Sequence, residues 1–205
     1  MSELPQKSAE LAVKGFTDFL SESTSNIKFR VFLCGKALDE KRKLEDQVAD
    51  DLRAYLWQRL EQESECQVFL GEHNELIRAY HTKVNYSVPK NINKANLALF
   101  EVNLAGYADL IIILPDSPGS YAELGMFSTS QAICIKLLVI NKLEYKGKNS
   151  FINRGPVIAA LGNRAKVLYE DYSDRDRIFE VIQDEVAMIR ESIVAERTLS
   201  RRRAR

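Results

Sequence analysis

Residues 108–128 read ADLIIILPDSPGSYAELGMFS, and this stretch decides the fold. The apolar run at 109–115 gives way abruptly to small polar residues and then to a helical pattern. A continuous apolar run is typical of a strand that is covered on both faces. Asp116 or Ser117 can cap the next helix, and Pro118 suits its first position. The stretch therefore predicts a buried parallel strand that turns directly into a helix.

The same alternation of strand and helix patterns extends along the chain. Further strand candidates are 29–35, 66–71, 135–141 and 165–170. Helix candidates are 2–20, 38–63, 92–108, 117–132 and 174–202. Such alternation indicates parallel strands joined by right-handed crossovers. We expect one α/β domain over 1–205. It would hold a Rossmann-like, flavodoxin-like doubly wound sheet of about five strands, with its core at about 28–170 and a long C-terminal helix.

The segment 71–91 is long for a connection within a compact domain. Loops of that length are often functional, and the segment also has room for a short helix. Asn85 lies in it, and its amide is a candidate for holding a nucleobase, although an ordinary surface loop explains the same residue.

Composition narrows the class of protein. The chain has 205 residues, of which 45% are apolar, so it is not largely disordered. Lys plus Arg and Asp plus Glu both number 29, which gives no global charge for nucleic acid or membrane. Cys34, Cys66 and Cys134 stand far apart, so we expect reduced thiols and no zinc. With no signal pattern and no apolar run near the roughly 20 residues of a membrane helix, we expect a cytoplasmic protein.

Glu123 is the candidate catalytic residue, and two interpretations fit it. Ser120 and Glu123 have the spacing of a capping box, in which the carboxylate only satisfies a backbone N–H. A carboxylate beyond a central strand can instead attack the anomeric carbon of a nucleoside, or stabilise the cationic sugar that forms. Small residues around Glu123 favour chemistry, while the spacing alone leaves both interpretations open.

The turn before Glu123 supplies candidate binding groups. Asp116 and Ser117 are placed to hold a sugar, although Asp116 fits a plain helix cap equally well. The backbone amides of Gly119, Ser120 and Tyr121 would point at a phosphate or sugar oxygen.

Three further residues are weaker candidates for substrate binding. Gly35 and Lys36 follow the first strand, where a phosphate or ribose can sit, but a turn glycine and a solvated lysine explain them as well. Glu101 lies on the helix before the third strand, either at a solvated edge or turned toward the site.

Residues 99–128, LFEVNLAGYADLIIILPDSPGSYAELGMFS, resemble the nucleoside 2-deoxyribosyltransferase-like superfamily, and within it the effectors of bacterial retron anti-phage systems. A weaker resemblance continues over about 28–170. It implies a Rossmann-like enzyme that cleaves the N-glycosidic bond of NAD or another nucleotide or nucleoside. Under this resemblance Glu123 is the nucleophile and Asp116 contacts the sugar. True deoxyribosyltransferases have a Gly-Thr pair where this chain has Gly119-Ser120, so hydrolysis is favoured over transfer.

The resemblance also implies a setting for the protein. We expect the toxic effector of a phage-defence system, with no metal and no cofactor. A toxic hydrolase needs restraint, so a homo-oligomer or a hetero-complex is expected, with the retron reverse transcriptase and its DNA–RNA product as candidate partners. Two alternatives remain open: a module that senses a nucleotide without cleaving it, and a scaffold whose fold has lost its chemistry.

Overall fold

The computed structural model describes residues 28–39, 42–63, 65–85 and 96–203, which form one five-stranded sheet with helices on both faces. The strands are β1 (Phe29–Cys34), β2 (Cys66–Phe69), β3 (Leu110–Ile113), β4 (Leu137–Lys142) and β5 (Lys166–Glu170). All neighbouring pairs are parallel, in the order β2-β1-β3-β4-β5. The predicted α/β class and doubly wound sheet are confirmed, and each strand end lies within two residues of its predicted position.

The helices connect the strands and follow the last one. They are α1 (Leu44–Val48), α2 (Leu52–Glu61), α3 (Asn74–Asn85), α4 (Leu97–Tyr107), α5 (Pro118–Phe127), α6 (Gln131–Cys134), α7 (Ile158–Gly162) and α8 (Arg175–Arg203). The predicted long C-terminal helix is confirmed by α8, which has 29 residues. The helix predicted over 2–20 lies outside the described residues. Among the helices that are described, none has the length and apolar character needed to cross a membrane.

The single helix predicted over 38–63 is wrong, because the chain forms α1 and α2 there with a break between them. Asp51 adopts an extended conformation at the break, and its carboxylate accepts a hydrogen bond of 2.9 Å from the backbone N–H of Ala54. A side chain that caps a helix start competes with continuation of the preceding helix. Apolar residues recur every four positions through the break, at Leu44, Val48, Leu52, Leu56 and Leu60. This spacing therefore does not reveal that the helix is interrupted.

The structure also tests the other helix predictions after β2. The helix predicted over 117–132 ends at Phe127, and the short α6 follows it. The segment 71–91 holds the 12-residue α3, so its helical alternative is confirmed. A π-helical segment, Asn153–Val157, leads into α7 between β4 and β5, where no helix is predicted from the sequence.

The sheet separates two hydrophobic cores. On one face Phe32 and Ile113 pack among residues of α3 to α7. On the other face Leu33 and Ile112 pack against α2 and α8. Since Ile111, Ile112 and Ile113 have no exposed surface, β3 is covered on both sides. This two-sided burial explains the unbroken apolar run in its sequence.

The strand order places a topological switch point between β1 and β3. The chain leaves β1 for β2 on one side, whereas β3 continues the sheet on the other side. The connections after these two strands therefore diverge and leave a crevice at the carboxyl ends of the strands. Cys34 ends β1, and Ile113 ends β3 beside it. The candidate site residues lie at this edge.

Candidate active site

The turn after β3 is capped by two serines. Ser117 is the N-cap of α5, and its hydroxyl accepts a hydrogen bond of 3.2 Å from the N–H of Ser120. The buried hydroxyl of Ser120 in turn accepts hydrogen bonds of 3.0 Å from the N–H groups of Asp116 and Ser117. This reciprocal arrangement is a capping box. The interpretation of Glu123 as the capping carboxylate is therefore wrong.

The cap also determines which amides of the turn already have acceptors. The N–H of Ser120 donates to Ser117 Oγ, and the N–H of Tyr121 donates to the Ser117 carbonyl at 3.0 Å. Gly119 precedes both residues at the exposed start of α5. Binding of a ligand oxygen by these three residues remains a prediction.

Glu123 lies in the second turn of α5 with its carboxyl group largely buried. Its Oε2 atom is inaccessible and has no hydrogen-bond partner. The pKa of Glu123 is raised to about 8, first by burial and next by the negative charge of Glu101, while Arg53 acts in the opposite direction. The carboxyl group therefore holds its proton at neutral pH. A buried carboxyl oxygen without a partner is typical of functional sites, because it costs stability.

Arg53 supplies the positive charge nearest this carboxyl group. It projects from α2 across the end of β1, and only 4% of its surface is exposed. Its guanidinium donates to the Leu33 carbonyl at 2.9 Å and to the Lys36 carbonyl at 3.0 Å. Two further hydrogen bonds, of 2.6 and 2.8 Å, join it to both carboxylate oxygens of Glu72. All five of its N–H donors thus have acceptors, counting the longer bond of 3.2 Å from Nε to the Leu33 carbonyl.

Glu72 follows β2 and completes this bidentate pair. Burial alone would raise its pKa, but the hydrogen bonds and charge of Arg53 lower the pKa below its usual value. Its Oε1 atom also accepts a hydrogen bond from the N–H of Leu38. Glu72 is thus ionised and joins the loops after β1 and β2.

Sequence reasoning missed both members of the Arg53–Glu72 pair. A signal for Arg53 is present in the sequence, because Arg53, Leu56 and Leu60 share one face of α2 at helical spacing. An arginine on the buried face of a helix predicts a buried acceptor for its charge. Nothing in the sequence identifies Glu72 as that acceptor.

The carboxyl group of Glu101 is turned toward Arg53, Glu72 and Glu123. Its Oε1 atom lies 3.1 Å from the position that a Cβ atom on Gly71 would occupy, so the glycine leaves room for the carboxyl group. Burial raises the pKa of Glu101, and the negative charge of Glu72 raises it further. The charge of Glu101 also raises the pKa of Glu123, so of the two placements that the sequence left open, Glu101 is turned toward the site.

Cys34 completes the group at the end of β1. Its thiol is buried, and burial raises its pKa well above the usual value, with the charge of Glu123 as the next cause. The thiol is therefore protonated, and hydrogen bonding from it lowers the pKa of Glu123. We name Cys34, Arg53, Glu72, Glu101 and Glu123 the carboxylate cluster.

Asp116 has different neighbours from Glu123. Its Oδ1 atom accepts a hydrogen bond of 3.1 Å from the N–H of Lys36. Burial raises the pKa of Asp116, whereas the Lys36 hydrogen bond and the charge of Lys142 lower it. Burial raises the pKa of Tyr172, and Asp116 and Tyr121 are the next causes. Asp116 thus interacts with Tyr121 and with Tyr172, which follows β5. Glu123 faces the ends of β1 and β2 instead.

The remaining predicted residues are placed as follows. A Cβ atom on Gly35 would lie 3.0 Å from Arg53 Cδ, so the absence of a side chain on Gly35 leaves room for the arginine. The side chain of Lys36 is exposed, while its backbone contacts both Asp116 and Arg53. Asn85 is the last residue of α3, and its side chain lies outside the described residues.

Metal ligands are a separate question. In the ranges that the structure describes, no three or more His, Cys, Asp or Glu side chains are arranged to hold a metal ion. The three cysteines are free thiols, as predicted.

Comparison with known proteins gives one family and two named relatives. The model of the STM3845 retron effector protein family matches residues 49–203. Two Escherichia coli proteins, from retrons Ec86 and Ec73, are each 32% identical to this chain, over 133 and 140 residues respectively. Both are provisionally named ribosyltransferase/DNA-binding proteins.

The fraction of the chain that each match covers determines what can be concluded from it. Each alignment with a relative covers 65% of this chain and 38% of the relative, so the chain spans about two fifths of the length of these relatives. The family match includes Arg53, Glu72, Glu101 and Glu123, whereas Cys34 precedes it. Since it covers most of the chain, the protein belongs to the STM3845 retron effector protein family.

Proposed function

We propose that the protein is an N-glycosidase of the nucleoside 2-deoxyribosyltransferase-like type. It would hydrolyse the N-glycosidic bond of NAD or of another nucleotide or nucleoside, as the toxic effector of a retron anti-phage system. The observation that carries this proposal is the buried Glu123 carboxyl group, which lies at the β1/β3 switch point with one oxygen unpartnered. The ribosyltransferase names of the two relatives support chemistry at a sugar–base bond.

The proposed reaction takes place at C1′ of the ribose. The C1′–N bond breaks, and its electron pair leaves with the base. The ionised Glu123 either bonds to C1′ or holds the cationic sugar as an ion pair. From a nucleoside, the departing base takes a proton from Glu101, whose pKa is also raised. From NAD, nicotinamide departs as a neutral base and takes no proton. A water then adds to C1′ and displaces Glu123, and the proton of the water passes to the ionised Glu101 or, with NAD, to solvent, so the enzyme is restored.

The carboxylate cluster favours the positive charge that develops on the sugar during this reaction. Glu72, Glu101 and Glu123 surround a single arginine that is already paired. Positive charge on the sugar would lower the pKa of Glu123 and favour its ionised form. The site thus stabilises the cationic transition state more than the neutral ground state, which is the requirement for catalysis. Asp116 and Ser117 would hold the ribose hydroxyls from the other end of the turn.

Base release tests this proposal directly. The purified protein is incubated with NAD and, separately, with common nucleosides, and the released base is measured by chromatography. We expect release by the wild type, none by Glu123→Gln, and unchanged release by Glu180→Gln, which alters an exposed carboxylate of α8. Release by Glu123→Gln at the wild-type rate would refute the assignment. Binding without release in both proteins would favour the nucleotide-sensing alternative.

Restraint of the toxic activity is a further part of the proposal. We propose that the effector is held silent in a complex with the retron reverse transcriptase and its DNA–RNA product, or in a homo-oligomer. Expression of the chain alone should then arrest growth, and co-expression of the reverse transcriptase with its template RNA should relieve the arrest. Glu123→Gln serves as the control, because it should be harmless in both settings.

A further inference from the structure

A cleft opens at the amino-terminal edge of the sheet, opposite the crevice that holds Glu123. It has a volume of about 210 Å³ and lies between the end of α2, the start of β2 and the middle of α8. Leu60, Cys66 and Val186 form an apolar floor, in which Leu60 and Val186 are buried. Ligand pockets have volumes of roughly 300 to 1,000 Å³, so this cleft is too small for a nucleotide. Its size and its floor suit an apolar side chain instead.

Polar side chains form the rim of the cleft. Gln183 donates a hydrogen bond of 3.1 Å to the Glu63 carboxylate, and Arg190 forms an ion pair with Glu65. Both pairs join α8 to the connection between α2 and β2. An apolar centre within a polar rim is the usual arrangement of a surface that is covered by another segment of protein.

The apolar surface continues along α8 beyond the cleft. Ile193 and Val194 lie two helical turns after Val186 on the same side of the helix, and both are half-buried. Arg190 already lies beside Glu65 at the amino-terminal edge of the sheet, so the end of the 29-residue α8 extends past that edge. The cleft and this part of α8 therefore form one apolar strip, which we name the α2–α8 face.

The described part of the chain begins beside the cleft. Phe29 is paired with Cys66 in the parallel register of β1 and β2, and its N–H donates a hydrogen bond of 2.8 Å to the Glu65 carbonyl. Residues 1–27 therefore join the sheet at the rim of the cleft. The last seven of them, SESTSNI at 21–27, are mostly polar and span at most about 25 Å when extended. That length lets the residues before 21 reach the α2–α8 face.

The helix predicted over 2–20 has an apolar stripe that needs such a surface. Its apolar residues recur at the period of one helix face, at Ala9, Ala12, Val13, Phe16, Phe19 and Leu20. Lys14 and Asp18 lie on the opposite face at the same period. Phe16 lies at the centre of the stripe and has the large apolar side chain that the cleft would accept.

We propose that residues 9–20 dock as an amphipathic helix on the α2–α8 face, with Phe16 in the cleft and the rest of the stripe along α8. The occupant is a segment of the same chain, because its connection to the sheet starts at the rim of the cleft. Docked there, the segment lies at the sheet edge opposite Glu123 and leaves the crevice at that residue open. The inference does not depend on the chemistry at Glu123.

Disulfide cross-linking to the native Cys66 tests the docking in the full chain. Phe16→Cys places a thiol at the centre of the stripe, and Asp18→Cys places one on the opposite face at nearly the same distance along the chain. With copper phenanthroline as oxidant, we expect Phe16→Cys to cross-link within one chain about tenfold faster than Asp18→Cys, because docking holds its thiol near Cys66. Equal rates would overturn the proposal. Cross-links between two chains, increasing with protein concentration, would assign the cleft to a second copy and would also overturn it.

Protection of Cys66 provides a second measurement, which requires no new cysteine. The full chain is labelled with a maleimide, and the label is located by mass spectrometry. The rate at Cys66 is divided by the rate at Cys34 and Cys134, which are buried in the core, so that any effect of unfolding is removed. We expect this ratio to rise about tenfold in Phe16→Ser, where Cys66 loses its cover, and to stay unchanged in Asp18→Ser. An equal ratio in the wild type and both variants would refute the docking.

Discussion

Glu123 lies in surroundings that oppose its ionisation, and the proposed reaction needs the ionised form. Burial raises its pKa to about 8, mainly because the carboxyl group loses its contact with water. Glu101 and Glu72 add negative charge, and Arg53 offsets only part of it. The carboxyl group is therefore uncharged at neutral pH, and its pKa can be measured in two independent ways.

The first measurement is the pH dependence of activity. In the proposed reaction the ionised carboxylate is the reactive form, and nicotinamide leaves NAD without a proton. For NAD, kcat/KM should therefore rise with pH and level off above about pH 8, which reports the free enzyme. Two variants sharpen the test. Glu72→Gln removes a negative charge and should move the midpoint to lower pH, while Arg53→Lys should leave it close to the wild-type value. A profile without a rise between about pH 6 and about pH 8 would contradict the assignment.

The second measurement is the pH dependence of stability. The folded-state pKa of Glu123 lies above its usual value of 4.5, so the folded protein binds more protons between these two values. Stability therefore falls as the pH rises from about 4.5 to about 8. Glu123→Gln mimics the neutral form and should raise the free energy of unfolding by roughly 3 to 5 kcal/mol at about pH 8. Denaturant unfolding at about pH 4 should show little difference, and an equal gain at both pH values would point to packing instead.

At the scale of single elements, α2 is tied to the ends of β1 and β2 by one side chain. Arg53 bonds to the Leu33 and Lys36 carbonyls and to Glu72. We expect Arg53→Met to lower the free energy of unfolding by about 3 kcal/mol, because Glu72 would keep its partly buried charge without a partner. Arg59→Met on the same helix removes an exposed pair with Asp176 and should cost less than about 1 kcal/mol. Equal losses for the two arginines would show that the buried pair has no special role.

The start of α5 depends on its serine cap in a similar way. Ser117→Ala removes the acceptor for the N–H of Ser120 and should cost about 0.5–2 kcal/mol in thermal or denaturant unfolding. Ser130 offers a matched control, because it precedes α6 without a side-chain capping bond, so its replacement by alanine should have little effect. If both replacements cost the same, the reciprocal serine bonds do not stabilise the turn. The cap matters for function because it determines where α5 places Glu123.

Helix boundaries are the feature that the sequence predicts least well. The predicted helix over 38–63 fails at Asp51, since the apolar period continues through the break while a local hydrogen bond ends it. The strand ends, by contrast, are predicted to within two residues. A strand that is buried on both faces requires apolar residues at successive positions, which are visible in the sequence as a continuous apolar run.

At the scale of the whole molecule, the strand order brings distant residues together. β1 lies between β2 and β3, so the loops after β1 and β2 and the turn into α5 share one edge of the sheet. Cys34 at the end of β1, Glu72 after β2 and Glu123 in α5 meet there. The same order leaves a cleft of about 300 Å³ beyond β2, which Glu72 also lines.

The sequence by itself determined the α/β class, the parallel sheet, the turn at 115–120 and Glu123 as the residue to examine. Each of these depends on local signals: apolar runs, proline and small residues, and one carboxylate in an unusual place. Tertiary structure alone decided that serines cap α5, that Arg53 pairs with Glu72, and that Asp116 and Glu123 face different neighbours. Those facts depend on which elements lie side by side, and spacing along the chain does not encode the distance between residues that are far apart in sequence.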